Sequence, residues 1–79
     1  MTSPAAGSSS ILLLGHRLVG PEEALKLFRH LGGDVHSRIF REAIEYGQTK
    51  VILDQKHWVI IRQPDHTFLL TDTHHHQFV

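Results

Sequence analysis

The sequence predicts one small α+β domain in the order βααβββ: a short N-terminal strand, a helical hairpin and a three-stranded antiparallel meander. Two observations carry this. Helical apolar spacing fills residues 21–46 and is punctuated by glycines. After Gly47 three runs rich in β-branched and aromatic residues follow, separated by turn sequences. A chain of 79 residues has room for one such domain and no second core.

Residues 1–10 are small and polar, with Pro4, Gly7 and a serine triplet, and read as a flexible tail. Ile11, Leu12, Leu13 and Leu14 form a short buried strand closed by Gly15. For the first helix Gly20 serves as N-cap and Pro21 as first helical residue, with Glu22 and Glu23 complementing the positive helix end. Ala24, Leu25, Phe28 and Leu31 share its apolar face, and Gly32 and Gly33 end it. Asp34 caps a second helix running to Tyr46, with Val35, Ile39, Phe40, Ala43 and Ile44 facing inward. Arg38 with Glu42 and Arg41 with Glu45 are i,i+4 pairs on its outer side.

The three later strands are expected over residues 49–54, 57–63 and 67–72. Asp54 to His57 and Gln63 to His66 supply the turns, the second with Pro64 where a type I turn takes proline. These strands are apolar on both faces. The helices cover one face, so the other calls for a cover.

Composition narrows the function classes. The chain has eight basic and eight acidic residues, which is a poor footprint for nonspecific nucleic-acid binding. Its longest apolar runs are far too short to span a membrane, and no secretory signal opens it; a cytoplasmic protein is expected. There is no cysteine, so disulfides and thiolate metal sites are excluded.

Eight histidines are the compositional oddity, three of them consecutive at His74, His75 and His76. A turn centred on Pro64 and Asp65 sets Trp58 opposite Asp72, and His57 opposite Thr73 or His74. A first turn centred between Gln55 and Lys56 sets Asp54 beside His57. One sheet end then gathers Asp54, Lys56, His57, Asp72, His74 and His76; His75 alternates away. Two chemistries fit this set. His57, His74 and His76 with Asp54 and Asp72 suit zinc or nickel. Alternatively, His57 and His74 exchange protons in phosphodiester cleavage while Lys56 stabilises developing negative charge. The bland explanation is that turn ends and a terminus are solvated and polar, and no HExxH spacing is present.

The leading expectation is a cofactor-free interaction or regulatory module. It self-associates as a homo-oligomer or binds a partner protein through its apolar sheet, with Ile52, Trp58, Ile60 and Leu69 as candidate contacts. A histidine-dependent ribonuclease-like or metal-assisted hydrolase at the Asp54/His57/Asp72/His74 end is the alternative. A winged-helix nucleic-acid binder, presenting Arg38 and Arg41 from the second helix, is the third, weakened by Glu42 and Glu45 on that helix.

Overall fold

A computed structural model describes residues 8–73. The protein is a mixed α+β domain in which two helices lie against one face of a five-stranded sheet. The strands are β1 (Ser8–Leu13), β2 (His16–Pro21), β3 (Gln48–Leu53), β4 (Lys56–Arg62) and β5 (Phe68–Asp72). The helices α1 (Glu22–Arg29) and α2 (Gly33–Tyr46) connect β2 to β3. The order is therefore ββααβββ, one strand more than the sequence suggests, and the sheet is mixed rather than a three-stranded meander.

The extra strand comes from a hairpin that residues 11–19 conceal. Leu13 pairs with His16, so Leu14 and Gly15 alone make the turn, both at positive φ (52° and 82°). Such tight turns match the twist of the flanking strands but usually hold asparagine, aspartate or glycine first. Leucine there disguises the turn as the end of an apolar run. The first strand also begins at Ser8, inside the segment whose composition reads as a tail.

Strand order β1-β2-β5-β4-β3 follows from the helical crossover. After β2 the chain passes over the sheet as α1 and α2 and re-enters at the far edge as β3. Antiparallel β4 and β5 then step inward until β5 lies parallel to β2, with Leu18 opposite Phe68 and Val19 opposite Leu69. Parallel neighbours need a long crossover, and the helical hairpin supplies it.

Helix α1 starts one residue later than expected and α2 two residues earlier. Gly20 belongs to β2, and Pro21 is the N-cap of α1 at φ −63° and ψ 140°. Gly32 is not a left-handed C-cap; at φ −70° and ψ 158° it is the N-cap of α2, which puts Asp34 in the first helical turn. Gly47 does end α2 in the left-handed conformation, its amide donating to the Ala43 carbonyl at 2.8 Å.

The core is one cluster between helices and sheet. Ala24, Leu25 and Phe28 of α1 and Ile39, Phe40 and Ala43 of α2 meet Leu18, Val51, Leu53, Trp58, Ile60, Phe68 and Leu70. Phe40 anchors it, edge-on to Phe28 at 5.9 Å and to Phe68 at 5.0 Å. His36 is buried in the same layer. Its Nε2 donates to the Phe28 carbonyl at 2.7 Å and its ring lies 4.7 Å from that of Phe28, tying the two helices together. Ile44, whose spacing suggests core, is exposed instead.

Candidate functional site

Strand pairing reproduces half of the expected polar cluster. Trp58 faces Asp72, and the Thr73 amide donates to the His57 carbonyl at 3.4 Å. Lys56 Nζ reaches Asp72 Oδ2 at 3.0 Å and lies 5.0 Å above the Trp58 ring. Lys56 is thus held by an ion pair and an aromatic face. The indole Nε1 of Trp58 is buried and has no hydrogen-bond partner among the described residues.

The other half does not assemble on that side. Leu53 pairs with Lys56, so the first turn consists of Asp54 and Gln55, both at positive φ (53° and 66°). Asp54 therefore sits at the exposed hairpin tip, and Ile52 is the residue opposite His57. His57 follows Lys56 in one strand and alternates to the opposite face of the sheet. Among the described residues no three histidine, aspartate or glutamate side chains come together as a metal site. His74, His75 and His76 lie outside the described residues. The β3–β4 hairpin is not a free wing beside a recognition helix, because β4 pairs with β5 inside the sheet.

The four apolar contact candidates divide between the two faces. Trp58 and Ile60 point at the helices and are 6% and 0% exposed, so they are spent in the core. Ile52, 59% exposed, and half-buried Leu69 lie on the face away from the helices. That open face carries a feature linear reading misses. Val19 of β2 pairs with Leu69 of β5, and Leu69 pairs with Ile61 of β4. The three stand side by side on adjacent strands, about 5 Å apart, each half-buried. Val59, one step along β4 from this row, is buried. Leu12, 63% exposed, lies toward the β1 edge of the same face. No sequence signal could align this row, since it depends on Val19 of β2 meeting Leu69 of β5, 50 positions further along the chain (69 less 19).

By strand alternation the basic side chains of the open face are Arg17 and Lys50, with the His57 imidazole beside them. The sole carboxylate in any described strand, Asp72, belongs to the helix side beside Lys56. Arg17 donates from its guanidinium to the Ser10 hydroxyl at 3.3 Å on the neighbouring strand.

No protein-family model, no curated protein and no solved structure matches this chain. Among the described residues no helix is long and apolar enough to cross a membrane.

Proposed function

We propose that this protein is an interaction module whose open sheet face binds a partner protein presenting an apolar patch with an acidic rim. The observation that carries this reading is the Val19–Leu69–Ile61 row, set on three central strands opposite the helices. A solvated sheet face normally alternates to polar residues at such central positions. Apolar residues in register across strands form one continuous contact patch.

The flanking charges favour a different protein over a second copy of this one. Arg17 and Lys50 carry positive charge. Stacking two such faces sets like charges against each other, whereas an acidic rim complements them. Binding rather than catalysis is also what the Lys56–Asp72 pair supports, since the lysine is neutralised by its neighbour.

The test uses two labelled peptides with the same apolar centre, one flanked by glutamates and the other by lysines. Fluorescence anisotropy is measured with the unaltered chain and with Leu69→Gln, and sedimentation gives the oligomeric state. The glutamate-flanked peptide is expected to bind, with affinity falling about tenfold in Leu69→Gln and also as salt rises. The chain is expected to sediment as a monomer. Equal binding of both peptides, indifference to Leu69→Gln, or a dimer that Leu69→Gln dissociates would each overturn the reading.

A further inference from the structure

On the other side of the molecule, away from the sheet face just described, the β1–β2 turn and α2 enclose a groove of about 440 Å³. Its walls are Leu14, His16, Ser37, Phe40, Arg41 and Ile44. The last four are spaced i, i+3, i+4 and i+7 along α2 and so form one stripe of that helix. His16 is held in place by aromatic neighbours, its ring 4.7 Å from Phe40 and 5.3 Å from Phe68.

Two independent observations mark this groove as more than a surface crease. The first is Leu14, which occupies the left-handed region at φ 52° and remains 58% exposed. A bulky aliphatic residue is disfavoured there, and asparagine or glycine would make the turn more easily. Leu14 therefore gains nothing from the turn and little from the core, and what it contributes is an apolar wall facing exposed Ile44.

The second observation is Arg41. Helical spacing offers it Glu45, yet the ion pairs among the described residues are Lys26–Glu22 and Lys56–Asp72. Neither the Arg41 nor the Ser37 side chain, one turn apart, has a hydrogen-bond or ion-pair partner among the described residues. Among the described residues no carboxylate lines the groove. A guanidinium, a hydroxyl and an imidazole thus stand unopposed beside three apolar walls.

We propose that this groove binds a small amphipathic anion, a carboxylate bearing a short aliphatic chain. Arg41 offers the paired N–H donors that match a carboxylate, and Ser37 adds a hydroxyl donor one helical turn away. Leu14, Phe40 and Ile44 contact the chain. The groove, about 440 Å³ and open to solvent, has room for a short aliphatic chain.

Calorimetric titration with octanoate, octanol and octylamine tests this. Octanoate is expected to bind at least about tenfold more tightly than the other two. Arg41→Gln is expected to lower octanoate affinity about tenfold while leaving the melting temperature unchanged. Leu14→Asn separates fold from site: it is expected to raise the melting temperature by about 4 °C or more and yet weaken octanoate. Leu69→Gln, on the opposite face, is expected to bind octanoate like the unaltered chain, so failure here and failure of the sheet-face reading are separate results. No octanoate binding at millimolar concentration, equal binding of octanol, or unaltered affinity in Arg41→Gln or Leu14→Asn would overturn the proposal. So would a loss of binding in Leu69→Gln, which places the ligand on the sheet face.

Discussion

Replacing Gly20 by serine probes the parallel β2–β5 contact on which the sheet order rests. An ideal Cβ at position 20 falls 2.6 Å from the Leu70 carbonyl oxygen and 3.1 Å from Leu70 Cβ. Ordinary contact begins near 3.4 Å, so the backbones must part by about 0.8 Å (3.4 less 2.6). Leu70 cannot easily yield, because it is 0% exposed and paired with Ile60 on its other side. Overpacking of this kind costs about 1–3 kcal/mol, in a domain of this length stabilised by about 4–12 kcal/mol in total. Serine is the informative replacement. At an exposed helix N-cap, the place the sequence suggests for Gly20, serine is as good as glycine or better. Equilibrium urea unfolding followed by fluorescence of buried Trp58 measures the difference. Gly33→Ala serves as control, since nothing lies within 4 Å of its added Cβ and the residue is helical. Alanine there is expected to leave stability unchanged or raise it by up to about 1 kcal/mol. A Gly20→Ser protein as stable as the unaltered chain would refute both the close approach and the strand order built on it.

Two further outcomes follow from turn chemistry. Gln55 sits at φ 66° in the second position of its two-residue turn, where glycine is preferred; Gln55→Gly is expected to stabilise by about 0.5–1 kcal/mol in the same urea assay, and a loss of stability would count against the turn. Asp65 is held below the ordinary carboxylate range, first by the Thr67 hydroxyl bonded to its Oδ1 at 2.6 Å and then by the Thr67 amide at 3.1 Å. Because folding depresses this pKa, the loop's stabilisation is complete above the unfolded value of about 3.9 and fades as pH falls through the lower folded value. The Thr67 amide shift should therefore titrate below the usual range, and Thr67→Val should move that midpoint upward; an unchanged midpoint would remove the hydroxyl as the cause.

Much of this architecture is legible in local sequence because local chemistry enforces it. Gly47 marks the end of α2 because the left-handed cap suits a residue without Cβ. Gln63 to His66 gives the turn that sets Trp58 against Asp72, and the His66 amide closes it on the Gln63 carbonyl at 3.0 Å. Where an unusual residue occupies a turn, the signal fails. Leu14 hides one hairpin, and Gln55 displaces the other so that Asp54 reaches the tip instead of lying beside His57. The candidate polar cluster suffers directly: a register shift relocates Asp54, and strand alternation parts His57 from Lys56. The groove beside Leu14 was equally invisible, since Ile44 fits a helical core period and its exposure depends on where β1 and β2 end.

What the sequence by itself determined is the content of each element: two amphipathic helices, strands apolar on both sides, and the turns that join near neighbours. Periodicity and turn preference act over a few residues, so they survive without knowledge of the rest of the chain. Only the tertiary structure decided which strands meet and which faces stay open. The β2–β5 pairing spans the whole helical crossover and is selected by the burial of Leu18, Phe68 and Leu70 under α1 and α2. That same choice aligns Val19, Leu69 and Ile61 on the far side, because each strand residue that turns inward sends its neighbour out.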